Sequence, residues 1–292
     1  MATTASVVIC SRGRPELLLD AVRSVLSGDR LPSELVVVDQ SDDRHPDLAR
    51  GVPDSPVDVR YLWAPDRGLS RARNVGVDAA RGDVIAFLDD DMLVDAAWLA
   101  RLVDRLADGG DRYVLSGKVT PGEPEVAGAW APSTIVDDRA RSYSGRLDAD
   151  VLFAGNMALY RSVFDEIGRF DERLGAGTRL PSAEDNDFCY RLLRAGFVIE
   201  YRPEMEAVHR AWRRENALVL LKHHYGRGQG GFYAKWVASG DSYMVRRFAL
   251  DATRHLRRAV RRLLRGRVSE ARSDLAYTRG LFEGAFAWVR GT

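Results

Sequence analysis

Short apolar runs alternate with amphipathic stretches through the first third of the chain. These runs are rich in β-branched residues, which is typical of strands, and they occupy positions 6–10, 35–38, 57–62 and 84–88. Between them, Pro15 opens an amphipathic helix that continues to Leu26, and a second helical stretch covers 69–80. Strands that alternate with helices predict an α/β fold with a parallel sheet and right-handed crossovers.

The pattern becomes less regular in the middle of the chain. A helix is predicted at 98–106 and a strand at 113–118. The segment 121–148 is rich in Pro, Gly, Asp and Arg. We predict that it forms a long loop or lid, because loops of this length are usually functional or disordered. Regular patterning returns at 151–159.

The last third of the chain is predicted to be mainly helical. A helix at about 182–195 precedes a strand at 197–201, and beyond His209 the sequence is helical and strongly basic. We therefore expect two parts, a sheet domain at 1–210 and a basic helical extension at 211–292.

Length and composition suit a globular protein. The chain has 292 residues, of which 46% are hydrophobic, enough for one large domain with an appendage. No apolar run approaches a membrane span, and residues 1–6 lack the features of a secretory signal, so we expect a cytoplasmic protein. Cys10 and Cys189 are expected to be reduced, partly buried thiols.

Charge is distributed unevenly along the chain. Residues 1–150 contain 18 basic and 26 acidic residues, a net charge of −8, whereas residues 151–292 have a net charge of +9. This asymmetry suggests that one end handles a cation and the other an anionic surface or partner.

Acidic residues follow two of the predicted strands. Asp39 comes directly after the second run, and Asp89, Asp90 and Asp91 follow the fourth. Parallel sheets bind ligands at the carboxyl ends of their strands, and adjacent carboxylates repel one another unless a cation offsets them. Carboxylates suit Mg²⁺ or Mn²⁺. The alternative is that the three acids only form a turn and a cap before the next helix.

Three further residues are candidates for chemistry. Glu184 and Asp185 open a predicted helix, where acids also serve simply to interact with the helix dipole. His209 follows a short apolar run and is a candidate metal ligand or a structural histidine.

Taken in order, these motifs resemble a family-2 glycosyltransferase with the GT-A fold. The resemblance covers about residues 5–210 and depends on six segments. They are 6–15 (SVVICSRGRP), 35–39 (LVVVD), 68–74 (GLSRARN), 82–91 (GDVIAFLDDD), 170–172 (FDE) and 184–185 (ED). The resemblance implies an inverting enzyme that moves a sugar from a nucleoside diphosphate, UDP- or dTDP-linked, to the hydroxyl of a saccharide or lipid-linked acceptor.

The resemblance also implies roles for individual residues. Ser11 would line the nucleotide pocket, Asp39 would accept the imide N–H of uracil or thymine, and Asp89 would hold the ribose. Asp90 would assist, and Arg71 and Arg73 would approach the nucleotide.

Two further roles concern the metal and the base. Asp91 and His209 would bind a divalent cation, Mn²⁺ or Mg²⁺. Asp185 would be the general base, with Glu184 orienting the acceptor or supporting the helix end.

Two segments depart from the family pattern or extend beyond it. The first strand ends in Cys-Ser-Arg-Gly-Arg-Pro, where many members have a Pro-Thr-Tyr-Asn type of turn, which leaves the base and ribose contacts open. The glycine-rich stretch 225–235 lacks the Lys-Ser/Thr ending of a phosphate loop and is predicted to be a turn between helices.

The basic stretch 244–267 is predicted to be an amphipathic helix. Its apolar residues recur at spacings of three and four, and it carries nine arginines against one aspartate. Three interpretations remain open at this stage: a helix packed on the rest of the protein, a surface helix on anionic lipid, or a nucleic-acid or protein contact. The second would place the protein at the inner face of the cell membrane.

Two rival functions are less consistent with the sequence. A sugar-phosphate nucleotidyltransferase needs a longer glycine-rich first loop than residues 11–15 provide, and it would leave Glu184 and Asp185 unexplained. A nucleic-acid-binding module could use the arginines of 244–267, but the acidic first half of the chain would repel phosphate backbones, so we expect no nucleic-acid partner.

Overall fold

A computed structural model describes residues 3–50, 55–214 and 217–291. Residues 1 and 2 of the N-terminal segment therefore lie outside the described part. The chain divides into two compact units. The first comprises Met1–Arg67, Arg71–Phe170 and Cys189–Arg213, and the second comprises Gly68–Ser70, Asp171–Phe188 and Arg214–Thr292. The boundary at residue 210 between a catalytic domain and an extension stays a prediction.

A mixed sheet forms the centre of the first unit. Within the described residues, its strand order is β3-β2-β1-β4-β9-β6-β10-β5, with β8 also paired to β10, and β7 and β11 form a separate two-stranded ribbon. The strands are β1 (Ala5–Ser11), β2 (Glu34–Asp39), β3 (Asp58–Trp63), β4 (Val84–Asp89), β5 (Met92–Val94), β6 (Tyr113–Pro124), β7 (Ala129–Trp130), β8 (Arg141–Tyr143), β9 (Asn156–Tyr160), β10 (Val198–Ala211) and β11 (Arg213–Arg214).

The four predicted apolar runs form four neighbouring parallel strands of this sheet. β1 lies between β2 and β4, and every residue of β1 and β2 is buried. Apolar strands with both faces covered are the expected sequence of a parallel sheet between helices. The register pairs Ser11 with Asp39 and Cys10 with Asp89, so the acids at the ends of β2 and β4 flank the end of β1.

Helices flank the sheet and form most of the second unit. The first follows its prediction closely: Pro15 is at its first position, and its buried face consists of Leu18, Ala21, Val22 and Val25. The helices are α1 (Pro15–Leu26), α2 (Pro46–Ala49), α3 (Leu69–Ala79), α4 (Trp98–Gly109), α5 (Val163–Ile167), α6 (Glu184–Arg194), α7 (Leu218–Ala238), α8 (Tyr243–Leu264) and α9 (Val268–Val289).

The predicted loop at 121–148 was partly wrong. Strand β6 runs on to Pro124, and two short strands, β7 and β8, lie within the segment. The extra length of β6 arises because β10 is also long and pairs with it as far as Ala211 opposite Pro124. The neighbouring strand β10 supplies the hydrogen-bond partners for this part of β6. The polar, proline-containing sequence of the segment gives no sign of that pairing.

The glycine-rich stretch 225–235 is not a turn, and that prediction was wrong. It lies inside α7, which packs along α9. A Cβ on Gly226 would meet the carbonyl oxygen of Tyr277, and one on Gly284 would meet the carbonyl oxygen of Arg227. Glycine is therefore used here for close backbone contact between two helices, not for a turn.

Helix α8 forms where it was predicted, but it does not pack through its apolar stripe. Its buried residues are Met244, Arg247, Asp251, Ala252 and Ala259. Most of the large apolar side chains counted in the predicted face are instead exposed. The face of α8 that packs against its neighbours carries charged groups, and these have partners on α7 and α9. These polar contacts explain why α8 packs through that face and leaves its apolar stripe exposed.

Two further expectations concern the thiols and the membrane. Cys10 and Cys189 are both free and buried, as predicted, and burial raises the pKa of the Cys10 thiol to about 12. None of the described helices combines the length and the apolar composition needed to cross a bilayer.

Candidate active site

The three consecutive aspartates lie where β4 ends and the chain turns into β5. Asp90 and Asp91 are buried, whereas Asp89 remains partly accessible. Burying two adjacent carboxylates is unfavourable unless positive charge or hydrogen-bond donors compensate them. The side chains around them supply both.

Arg14 provides the positive charge. It lies in the turn between β1 and α1, and its Nη1 donates to Asp91 Oδ2 at 2.8 Å. Its Nη2 lies 2.5 Å from Asp90 Oδ1 in an ion pair. Ser11 donates from Oγ to the other oxygen of Asp90 at 2.6 Å, and Trp212 donates from Nε1 to Asp91 Oδ2 at 3.2 Å.

The two buried acids have opposite pKa shifts. Burial raises the pKa of Asp90 to about 7, and the charge of Arg14 only partly offsets this effect. Burial also acts to raise the pKa of Asp91, but the neighbouring His209 ring and the charge of Arg14 outweigh it and hold that pKa well below the usual range. Asp91 is therefore the carboxylate that is firmly ionised at neutral pH.

His209 faces the remaining oxygen of Asp91. Its Nε2 lies 3.4 Å from Asp91 Oδ1, and the side chain is buried on β10. Within the described residues, neither ring nitrogen makes a hydrogen bond. Buried polar atoms normally have a hydrogen-bond partner, so the two ring nitrogens of His209 without one indicate a position where a further ligand binds.

A divalent cation fits this arrangement. Two neighbouring ligands on an octahedral Mg²⁺ or Mn²⁺ ion lie about 3 Å apart, close to the Asp91–His209 separation. The described part of the chain contains no group of three or more His, Cys, Asp or Glu side chains that could hold a metal. Mg²⁺ in particular is commonly held by one or two protein ligands together with water and substrate phosphates, so two ligands suffice.

Asp39 lies beside the end of β1 in a separate cluster. Its Oδ1 accepts from the backbone N–H of Ser41 at 2.9 Å, and its Oδ2 accepts from Tyr61 Oη at 2.6 Å. Burial and the hydrogen bond to Asp39 raise the pKa of Tyr61 to about 12, so the phenol remains a donor. Trp63, which is about one-third exposed, is the residue of β3 that pairs with Asp39 of β2.

Asp89 contacts Arg73 and Gly155. Arg73, which is buried, lies with Nη2 3.1 Å from Asp89 Oδ1. A Cβ on Gly155 would collide with Asp89 Oδ2, and the backbone N–H of Asp89 donates to the Gly155 carbonyl at 3.1 Å. The guanidinium of Arg73 on one side and Gly155 on the other therefore set the orientation of the Asp89 carboxylate.

The structure thus brings most of the predicted residues of the first unit together at one edge of the sheet. Ser11, Asp90, Asp91 and His209 form one cluster. Arg71 is more exposed and lies 3.9 Å from Asp66.

Glu184 and Asp185 belong to the second unit, at the start of α6. Glu184 is buried, and Asp185 is half-buried and accepts from the backbone N–H of Asn186 at 2.9 Å. Ala183 precedes them with a φ of 69°, a left-handed conformation that is uncommon for a residue with a Cβ. This sharp turn at Ala183 sets the start of α6 and therefore the positions of Glu184 and Asp185 in its first turn.

Sequence reasoning missed four residues of this site. Arg14 was noted only as part of an unusual turn, although an arginine near three acids was a usable signal. Trp212 and Tyr61 carried no signal, because their contacts join segments far apart in the chain. Gly155 could not be distinguished from an ordinary loop glycine.

The comparisons with known proteins identify the family and the fold of this chain. The chain belongs to glycosyl transferase family 2, whose family model matches residues 6–168. It is 27% identical over 214 residues to a glucosyl-dolichyl phosphate glucuronosyltransferase of Haloferax volcanii, covering 70% of this chain and 68% of that protein. It is 31% identical over 203 residues to the succinoglycan biosynthesis protein ExoM of Rhizobium meliloti, covering 67% of this chain and 63% of that protein.

A solved structure supports the GT-A assignment. The mannosyltransferase PcManGT of Pyrobaculum calidifontis was solved with GDP-Man and Mn²⁺. Its match covers 97% of this chain and 88% of the PcManGT chain. The TM-score is 0.64 at 15% sequence identity, so this similarity concerns the fold. The predicted family and the GT-A fold are therefore confirmed, and the protein is a glycosyltransferase.

Proposed function

We propose that this glycosyltransferase moves a sugar from a UDP- or dTDP-linked donor to the hydroxyl of a saccharide or lipid-linked acceptor, with inversion at the anomeric carbon. The observation that carries the proposal is the geometry at the end of β4, where the buried Asp91 carboxylate lies 3.4 Å from the ring of His209, whose nitrogens make no hydrogen bond among the described residues. A rival nucleotidyltransferase function would leave the acids of α6 without a role.

Asp91 and His209 would hold the divalent cation. When bound, such an ion neutralises the negative charge that develops on the leaving diphosphate. Arg14 and Trp212 contact Oδ2 of Asp91, whereas His209 faces Oδ1. The two oxygens would therefore have separate tasks, with Oδ1 directed at the metal and Oδ2 kept in orientation by protein donors.

Asp39, Asp89 and Arg73 would bind the nucleoside. A carboxylate accepts the imide N–H that uracil and thymine present, and Asp39 Oδ2, which accepts one hydrogen bond from Tyr61, retains acceptor capacity. Asp89 would accept from a ribose hydroxyl while Arg73 holds it in place.

Asp185 would act as the general base, with Glu184 orienting the acceptor. The acceptor oxygen forms a bond to the anomeric carbon while the bond from that carbon to the diphosphate oxygen breaks. The hydroxyl proton passes to the Asp185 carboxylate, and the nucleoside diphosphate departs with the electron pair. A single in-line displacement of this kind inverts the anomeric configuration.

A donor screen tests the proposal. The protein is incubated with UDP-, dTDP- and GDP-sugars, Mn²⁺ and candidate acceptors, and release of the nucleoside diphosphate is measured. We expect turnover with a uracil or thymine donor, loss of turnover in Asp91→Asn, and unchanged turnover in Asp108→Asn, an equivalent change at an exposed acid on α4. Equal turnover by the Asp91 and Asp108 variants would contradict the assignment, and a product that retains the donor's anomeric configuration by NMR would contradict inversion.

A further inference from the structure

Helix α8 exposes a stripe of large apolar side chains. Val245, Leu256, Val260, Leu263 and Leu264 follow one another at spacings that keep them on one side of the helix. Each is between 45% and 83% exposed. The helix packs on its neighbours through a different face, so this stripe is not part of the packed interior of the second unit.

Helix α9 continues the apolar surface. Leu275, Phe282, Phe286 and Val289 form a second stripe, and each is between 44% and 77% exposed. The half-buried Phe248 ring of α8 packs edge-on against Phe282 with centroids 5.2 Å apart, so the two helices meet at this aromatic pair. We call the two stripes together the apolar band. Exposed bands of this kind on a folded protein mark an interaction surface.

Arginines border the band along α8. Arg254, Arg257, Arg258 and Arg261 line a shallow hollow of about 400 Å³ together with Leu250 and Thr253. No carboxylate in the described ranges lies within ion-pair distance of these four arginines. On the packed side of the same helix, by contrast, Arg262 pairs with Asp274 at 2.6 Å.

Arginines also border the band along α9. Arg272 and Arg279 lie on α9 beside the apolar stripe and are exposed, and Arg279 also pairs with Glu283 of the same helix at 2.7 Å. Arg290 stacks on the Phe286 ring, with its guanidinium carbon 4.0 Å from the centroid. The band is therefore flanked by arginines on both helices, and Arg254, Arg257, Arg258 and Arg261 of α8 have no ion-pair partner among the described residues.

We propose that the apolar band of α8 and α9 rests on the surface of an anionic lipid bilayer. The phenyl and aliphatic side chains would enter the boundary between headgroups and acyl chains, and the flanking arginines would contact lipid phosphates. Because no described helix could cross a bilayer, the contact is with the surface.

Other occupants fit these observations less well. A second copy joined through the same band would bring its arginine rows against those of the first copy, which is repulsive. A nucleic acid would use the arginines but leave the exposed phenylalanines in water. An anionic bilayer satisfies both features at once.

Vesicle flotation tests this proposal, and it uses neither a sugar donor nor an acceptor, so its failure would not bear on the proposed transfer reaction. The protein is mixed with phosphatidylcholine vesicles that either contain or lack phosphatidylglycerol. We expect it to float with the anionic vesicles at low salt, to float less at high salt, and to remain at the bottom with neutral vesicles. Failure to float with anionic vesicles at low salt would overturn the proposal.

Three paired variants sharpen the test. Phe282→Ser with Phe286→Ser removes aromatic surface, and Arg257→Glu with Arg261→Glu reverses charge beside the band. Arg50→Glu with Arg139→Glu makes the same charge change at exposed positions of the first unit.

We expect both pairs in the second unit to float at least roughly tenfold less than the wild type. The control pair should float like the wild type. Equal loss in the control pair would show that net charge alone acts and would overturn the proposal. A wild-type dimer that becomes monomeric in the Phe282→Ser, Phe286→Ser variant would overturn it in favour of a second copy. Thermal melts of each variant establish that it is folded.

Discussion

Arg14 donates to Asp91, with Nη1 2.8 Å from Oδ2, although the two residues are 77 positions apart in the chain. The same guanidinium lies 2.5 Å from Asp90. The turn after β1 therefore carries a fixed positive charge to the acids at the end of β4. This charge keeps two buried carboxylates tolerable and leaves Asp91 Oδ1 facing His209.

Replacing Arg14 should therefore couple stability to metal binding. Arg14→Gln leaves two buried carboxylates without their cation, which should lower the free energy of unfolding by about 3 kcal/mol in EDTA. A bound divalent ion restores positive charge, so Mn²⁺ should raise the melting temperature of this variant more than that of the wild type. Thermal melts with EDTA and with Mn²⁺ measure both effects.

Arg23→Gln is the matched control, because Arg23 on α1 is largely exposed. It should behave like the wild type in both conditions. Identical Mn²⁺ responses in the Arg14 variant and the wild type would mean that the cation does not bind beside Asp91.

Asp185→Asn should separate chemistry from donor binding. The amide keeps the shape of the side chain but cannot accept the acceptor's proton, so transfer should fall by roughly 10²–10⁴-fold. Donor affinity by calorimetry should change little. Asp165→Asn alters an exposed acid in the first turn of another helix, α5, and should leave transfer intact. Transfer by the Asp185 variant at the wild-type rate would exclude Asp185 as the base.

The parallel half of the fold could be predicted because its strands are short apolar runs, and burial on both faces dictates that composition. The acids at 39 and 89–91 could be placed because parallel strands end at a common edge. The glycines of α7 could not be interpreted, since Gly226 is required by the backbone of α9, about 50 residues away. Likewise, the spacing of the apolar residues in α8 predicted a stripe along the helix, but it could not show whether the rest of the protein buries that stripe.

Glu34 should make stability depend on pH. It is buried, accepts from Ser6 Oγ at 2.6 Å and lies 3.1 Å from Arg60 Nη1. Burial acts to raise its pKa, but the Ser6, Arg81 and Arg60 contacts outweigh this and lower the pKa below 4.5. The stabilisation is therefore fully present above pH 4.5 and is lost as pH falls through the lowered native pKa.

Glu34→Gln should accordingly lower the free energy of unfolding by about 1.5–3 kcal/mol at pH 7. The difference from the wild type should shrink as the pH falls below 4.5, and urea titrations at both pH values measure it. A difference that is independent of pH would mean that the Glu34 charge does not contribute.

Gly284→Ala should destabilise the second unit. A glycine-to-alanine change inside a helix is normally stabilising by up to about 1 kcal/mol. Here the added Cβ would meet the carbonyl oxygen of Arg227, so we expect a loss of about 1–3 kcal/mol by urea unfolding. Arg272→Ala on an exposed face of α9 should change stability by less than about 0.5 kcal/mol. An increase in stability for Gly284→Ala would contradict the close packing of α7 and α9.

Calorimetric titration of UDP tests the central claim most directly, namely that Asp91 and a divalent cation hold a nucleoside diphosphate. In Mn²⁺, the wild type and the Asp108→Asn control should bind UDP at least roughly tenfold more tightly than in EDTA. Asp91→Asn should lose that dependence, and ADP should bind more weakly than UDP because adenine lacks the imide that Asp39 would recognise. Equal UDP affinity in EDTA and in Mn²⁺, or a wild-type metal response in Asp91→Asn, would contradict the account.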